Sequence, residues 1–179
     1  MSWRTSLSRS AISPVSLALF LFTTSTLAGT FTAAAVRADI NAIGAKAVVA
    51  KLWGGSGWDQ LMANVRTGQS DWLKVAVEIY PGTDAGASET LALAVGEALV
   101  MHPREVLRIV APAMGTEEIC TGPDIDWYPV KDKYVAALDQ RIAAVSALQD
   151  ESLSGVRASC LKSLADQKTY ILSPKGPYQ

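Results

Sequence analysis

The sequence contains few of the residues from which metal sites and catalytic centres are built. Among 179 residues there is one histidine, His102, and there are two cysteines, Cys120 and Cys160. Zinc sites take several histidine, cysteine or carboxylate ligands, and the nucleophile turn of a serine hydrolase needs a Gly-x-Ser-x-Gly string that does not occur. His102 precedes Pro103, so we place it at a helix boundary and favour this over a role as catalytic base. We expect no metal, no cofactor and no catalytic residue.

A phosphate-binding loop is also missing. The glycine-rich string at residues 54–57 has no Gly-Lys-Ser or Gly-Lys-Thr ending and follows no predicted strand. We interpret it as a helix stop followed by a turn. Trp53 and Trp58 flank this turn, and we expect their rings to pack together across it. A pair that stacks on a ligand is the alternative.

Acidic residues are absent from the first 38 positions. Arg4 and Arg9 give a basic start, residues 14–29 form a mainly apolar run, and small residues follow as far as Ala38. This order is typical of a secretory signal peptide. We predict that residues 1–38 are removed by cleavage after Ala38, with cleavage after Ala28 as the second choice. An uncleaved membrane anchor is the alternative, but the apolar run is short and diluted by threonines.

Basic residues are too few to form a nucleic-acid surface. Removal of residues 1–38 takes away three arginines and leaves 13 Lys and Arg against 17 Asp and Glu, a net charge of −4. Nucleic acids and anionic membranes both attract clustered cations, so we expect neither as a partner. Beyond the signal peptide, Glu89, Glu97 and Arg104 interrupt the best candidate for a membrane-spanning run.

The two cysteines both lie beyond the predicted signal peptide. In an exported chain an even number of cysteines indicates disulfide pairing. We therefore predict a disulfide between Cys120 and Cys160, which closes a loop of about forty residues and stabilises the fold by roughly 4 kcal/mol on the chain-entropy estimate. Two separate thiols are the alternative.

Strand patterns are missing as well, since no segment alternates apolar and polar residues between turn signals. Apolar residues instead recur every three or four positions, which is the helical period. The segment Thr83–Pro112 organises the rest, because residues 91–101 are apolar on nearly every side except at Glu97 and predict a buried central helix. We predict an all-α fold in one domain, residues 39–179, as a compact bundle of five to seven short helices, or of stacked helical hairpins, around that helix.

A long loop at residues 113–131 and an irregular C-terminal tail at residues 170–179 complete the predicted domain. The loop has no apolar period and holds two prolines and two glycines, and long ordered loops are disproportionately functional. Two acidic residues adjoin two aromatic residues in it, a combination that suits a protein interface. The alternative is that the aromatic rings fold back over the core. These candidate partner-binding residues are Asp124, Asp126, Trp127 and Tyr128.

Three functions are compatible with this pattern. The leading hypothesis is a non-enzymatic binding protein exported to the periplasm, or else to the medium, such as an immunity-type inhibitor that neutralises a basic enzyme of the cell envelope. The second is a cell-wall hydrolase that uses Glu97 together with an acid of the loop. The third is a structural or assembly factor. A calcium site built from Glu117, Glu118 and the loop aspartates is disfavoured, because the twelve-residue calcium pattern is missing.

Overall fold

The computed structural model describes residues 31–121 and 129–178, and within these ranges it is all-helical and has no strand. This confirms the predicted fold class. Two short 3-10 helices, Tyr80–Gly82 and Glu151–Leu153, also occur in this part of the chain. The α-helices of the described residues are α1 (Ala33–Ile43), α2 (Ala45–Leu52), α3 (Ser56–Arg66), α4 (Ser70–Ile79), α5 (Ala85–Met101), α6 (Pro103–Ile109), α7 (Ala111–Met114), α8 (Thr116–Thr121), α9 (Lys131–Ser146) and α10 (Ser154–Leu172).

Helix α5 is the centre of the bundle, as predicted. The carboxylate of Asp84 accepts a hydrogen bond from the backbone N–H of Ala87 at 3.4 Å and so caps the helix. From Leu91 to Leu99 every residue except Glu97 is buried, and α3, α6, α8 and α9 pack around this stretch. The last residue of the predicted apolar run, Met101, is 73% exposed, so burial ends before the helix does.

The first helix begins before the predicted start of the domain at residue 39. Residues 33–38, which fall within the predicted signal peptide, already form the first half of α1. The Thr32 hydroxyl caps α1 by accepting the N–H of Ala35 at 3.1 Å, and the alanine-rich stretch that follows favours the helix intrinsically. Gly44, with φ +84°, then separates α1 from α2, because a glycine adopts this backbone conformation without strain.

The prediction of a long loop at residues 113–131 was wrong for most of the described part of this range. The range contains the end of α7, all of α8 and the start of α9 at Lys131, and α8 packs against α10 and α5. Helix α8 has six residues, of which Ile119 and Cys120 are buried, and this is too short to display an apolar period.

The predicted disulfide is confirmed. Cys120 on α8 and Cys160 on α10 are bonded, with Sγ atoms 2.00 Å apart and Cα atoms 5.6 Å apart. Both residues are fully buried, so the covalent link joins the two helices through the core.

The C-terminal tail also differs from the prediction. Helix α10 continues to Leu172, three residues into the range expected to be irregular, and packs along α9 and α8. Beyond it the chain turns back, and Tyr178 packs partly buried against the core. Burial, with a smaller contribution from Tyr134, raises the pKa of the Tyr178 hydroxyl. Nowhere in the described ranges is a helix long and apolar enough to cross a membrane.

Candidate functional site

The four predicted partner-binding residues, Asp124, Asp126, Trp127 and Tyr128, lie outside the described residues. The chain is described up to Thr121 on one side of them and again from Pro129 on the other. The two flanks of the segment 122–128, and the groups that hold them, fix where the chain enters and leaves it.

The N-terminal flank is held by a buried arginine that the sequence analysis did not identify. Arg141, on α9, is 1% exposed. Its Nη1 donates hydrogen bonds to the carbonyl oxygens of Thr121 at 2.8 Å and Cys120 at 3.4 Å, and its Nε donates to the carbonyl oxygen of Gly96 at 3.0 Å. The last carbonyls of a helix have no partner within it, and a guanidinium offers several donors in a fixed plane. Arg141 thus joins the end of α8 to the middle of α5.

The guanidinium fits because position 96 has no side chain. A Cβ atom there would lie 2.8 Å from Nη2 and 3.0 Å from Cζ of Arg141, inside van der Waals contact. A glycine lets a neighbouring group approach the backbone closely. At Gly96 the group that approaches is the end of a long side chain.

The disulfide is a second attachment of the N-terminal flank. Cys120 is the residue before Thr121, and its bond to Cys160 fixes the last turn of α8 to α10. The chain therefore enters the segment 122–128 from a point tied to three helices, by one covalent bond and by the hydrogen bonds of Arg141.

The C-terminal flank is anchored at the start of α9. The carbonyl oxygen of Val130 accepts the N–H groups of Lys133 at 3.1 Å and Tyr134 at 3.2 Å. Tyr134 is 1% exposed, and its hydroxyl oxygen accepts a hydrogen bond from Nε2 of Gln167 on α10 at 3.1 Å. Both ends of the segment thus connect to buried side chains.

Charges of both signs surround the flanks. Glu117 and Glu118 are exposed on α8, and Lys133 is exposed at the start of α9. On α10, Lys162 forms an ion pair with Asp166. The pKa of the Lys162 ammonium is raised, mainly by Asp166 and to a smaller extent by the charge of Glu117. Glu117 and Glu118 therefore add two negative charges next to the acidic segment, and lysines on α9 and α10 offset part of this negative charge.

Glu97 and His102 occupy structural positions. The Glu97 carboxylate accepts a hydrogen bond from Nε of Arg66 on α3 at 2.7 Å, and its side chain is 42% exposed. His102 ends α5 and precedes the first residue of α6, which confirms the predicted helix boundary. No three His, Cys, Asp or Glu side chains of the described ranges are grouped so as to hold a metal ion.

The predicted tryptophan pair is confirmed. The rings of Trp53 and Trp58 meet edge to face, with centroids 5.2 Å apart, and Nε1 of Trp58 donates a hydrogen bond to the Thr90 hydroxyl at 3.0 Å. Trp58 is buried, whereas Trp53 is 44% exposed beside a cavity of about 430 Å³ between α2 and the turn at Pro81. The pair fixes α2 and α3 against α5, which is the structural role expected of it.

The burial of Arg141 could have been predicted from its position in the sequence. Arg141 lies three residues after Leu138 and four before Val145, both fully buried, so it falls on the apolar face of α9. A charged residue at an apolar position of a periodic helix indicates a buried, hydrogen-bonded charge.

Comparisons of this chain with protein-family models, with curated proteins and with solved structures gave no match.

Proposed function

We propose that this chain is an exported binding protein that recognises a protein partner through the segment 122–128 and performs no catalysis itself. The observation that carries the proposal is the double anchoring of the end of α8, directly before the segment. The Cys120–Cys160 disulfide holds it, and so do the hydrogen bonds that Arg141 donates to the carbonyl oxygens of Cys120 and Thr121. Fixed flanks reduce the conformational freedom that a recognition segment loses when it binds, and this favours affinity.

Export is supported by two independent features. The N-terminal residues follow the order of a secretory signal peptide. A buried disulfide joins two helices of the core, and such bonds persist in oxidising compartments such as the periplasm or the medium. We propose the periplasm as the first compartment to examine and the culture medium as the second.

The chemistry of the segment favours a basic protein as partner. Asp124 and Asp126 adjoin Trp127 and Tyr128, and tryptophan and tyrosine are enriched among the residues that dominate binding energy at interfaces. Carboxylates at the rim steer a cationic partner and raise its association rate. An inhibitor that neutralises a basic enzyme of the cell envelope is the concrete form of this proposal.

The cell-wall hydrolase is less well supported by the surroundings of its principal candidate residue. Glycoside hydrolysis uses two carboxyl groups that face the same glycosidic bond. The Glu97 carboxylate is instead paired with the cation of Arg66 at the surface of the bundle. Replacement of Glu97 by Gln is therefore expected to leave any cell-wall phenotype unchanged.

The proposal is tested by partner capture with matched variants. The oxidised, exported protein is immobilised and exposed to an envelope extract, and bound proteins are eluted with a salt gradient and identified by mass spectrometry. The variants are Trp127→Ala, the double change Asp124→Asn and Asp126→Asn, and the control Tyr170→Ala, which removes an aromatic ring that is 51% exposed on α10.

We expect one stoichiometric protein to bind the unmodified chain and the Tyr170 control. The Trp127 variant loses it, and the aspartate variant releases it at lower salt. Far-UV circular dichroism verifies that all variants remain helical. Equal capture by the Trp127 variant, or no capture at all, would contradict the proposal, and capture of only a second copy of this chain would indicate an assembly role instead.

A further inference from the structure

Residues 31–38, at the start of the described chain, are built into the fold. The ring of Phe31 stacks on the ring of Trp72 in α4, with centroids 5.8 Å apart and planes inclined by 14°. Val36 is 4% exposed and belongs to the same hydrophobic core as the residues of α4 and α5. Trp72 itself is 8% exposed, so Phe31 contributes to its cover.

An ion pair ties the same stretch to α4. Nε of Arg37 donates to both carboxylate oxygens of Glu78, at 2.8 and 2.9 Å, and Nη2 lies 2.6 Å from Oε1. This is the bidentate geometry in which arginine binds a carboxylate most specifically. The two residues are 41 positions apart in the chain, so the pair fixes α1 against α4.

Cleavage after Ala38 would remove this whole arrangement. It would take away the Thr32 cap and the first half of α1, leaving five helical residues, 39–43, which is too short for a helix to persist. Trp72 would lose its stacking partner, and Glu78 would lose its cation. The cavity of about 290 Å³ between α1 and α2 would lose Phe31, Ala35 and Val36 from its lining.

We infer that signal removal cuts the chain before Phe31, at the peptide bond between Ala28 and Gly29. This deepens the proposed export and rests on it. Hydrolysis of that bond by a signal peptidase adds one water, leaving a carboxylate on Ala28 and a free amine on Gly29. Ala28 and Thr26 supply the small residues at positions −1 and −3 that such cleavage needs. The exported chain then keeps Arg37 and carries a net charge of −3, with 14 Lys and Arg against 17 Asp and Glu.

The test uses the full-length gene product expressed with its own N-terminus and recovered from the envelope fraction and the medium. Intact mass and N-terminal sequencing are expected to show a chain that begins at Gly29. A chain beginning at Asp39 would overturn this inference and leave export intact. A chain that keeps Met1 would overturn both this inference and export through a cleaved signal, so the two failures are distinguishable.

Two leucine substitutions provide a matched pair. Ala28→Leu places a large side chain at position −1, so precursor with the mass of the uncleaved chain is expected to accumulate. Ala38→Leu changes an exposed position of α1, and we expect processing and the Gly29 terminus to be unaffected. Accumulation of precursor in the Ala38 variant, with normal processing of the Ala28 variant, would overturn the inference.

Discussion

The backbone of Gly96 and the guanidinium of Arg141 are in close contact at the centre of the molecule. Nη2 of the guanidinium lies 2.8 Å from the position that a Cβ atom on residue 96 would take, and the guanidinium donates to three carbonyl oxygens on α5 and α8. If the guanidinium moves away, these buried carbonyl oxygens have no water to replace it as donor. A buried acceptor without a donor carries its full desolvation penalty, so breaking these hydrogen bonds is costly. The identities of these two residues therefore depend on each other.

The change Gly96→Ala tests this dependence. The methyl group would meet Nη2 of Arg141 at 2.8 Å, so the arginine must move and weaken its hydrogen bonds. We expect the free energy of unfolding to fall by about 2 kcal/mol, in the range of other overpacked cores, as measured by urea denaturation. The control is Gly155→Ala in the first turn of α10, where a Cβ meets nothing within 4 Å. That change is expected to leave stability unaltered or raise it by up to about 1 kcal/mol, and equal effects of the two changes would contradict the role assigned to Gly96.

Asp150 gives a prediction about pH. Its Oδ1 accepts hydrogen bonds from the N–H of Ser152 at 3.0 Å and from the Ser152 hydroxyl at 2.6 Å, and its Oδ2 accepts one from Nε of Arg104 at 2.8 Å. The Ser152 hydroxyl, and to a smaller extent Arg104, lowers the pKa of the Asp150 carboxyl below its ordinary value. The carboxylate thus stabilises the folded state above a pH of about 4, and this contribution disappears as the pH falls through the lowered pKa.

Replacement of Asp150 by Asn should therefore lower the urea midpoint at neutral pH, and the difference from the unmodified protein should shrink as the pH falls through the lowered pKa of Asp150. Asp166→Asn is the control, because Asp166 pairs with Lys162 on an exposed face of α10 and such pairs contribute little. A difference that stays constant with pH would show that the Asp150 effect comes from packing and not from its charge.

At the scale of elements, long helices could be predicted and short ones could not. Helix α5 was predicted from residues 91–101, which are apolar on nearly every side except at Glu97. On α9 the buried Tyr134, Leu138 and Val145 recur at helical spacing over several turns. Helix α8 offers only two buried residues, so its segment was predicted as a loop. The alanines at the start of α1 resemble the small residues near a signal cleavage site, so they were assigned to the signal peptide and not to a helix of the domain. The disulfide could be predicted because the argument needs only the residue type and the compartment. The acceptors of Arg141 could not be predicted, because every residue has a backbone carbonyl and the sequence does not show which ones meet the guanidinium.

The disulfide can be tested as a link between elements. In the double variant Cys120→Ser and Cys160→Ser, the loss of a cross-link across 40 positions is expected to lower the free energy of unfolding by roughly 4 kcal/mol. Hydrogen exchange should localise the effect, because α8 is short and held at its end by this bond. We expect the amides of residues 119 and 120 to lose protection about tenfold or more relative to those of α3. Uniform loss across all helices would show that α8 does not open separately.

At the scale of the whole molecule, one hydrophobic core runs from the first described helix to the last. Val36 on α1 and Ile171 on α10 belong to the same cluster of buried residues, and α5 lies at the centre of the bundle. Chains of this size with one continuous core commonly unfold in a single cooperative step. Tryptophan fluorescence reports mainly on the half containing Trp58 and Trp72, whereas far-UV circular dichroism reports on every helix.

Unfolding followed by these two probes should therefore give coincident urea transitions in the oxidised protein. The changes Val36→Ala and Ile171→Ala remove buried methyl or larger groups at the two ends of the core, and should lower the free energy of unfolding by about 2 and about 3 kcal/mol. Because the core is continuous, each change should shift both probes by the same amount. A Val36 variant that shifts fluorescence but not circular dichroism would mean that α1 and α4 unfold apart from the remainder, and that the bundle consists of two independently stable halves.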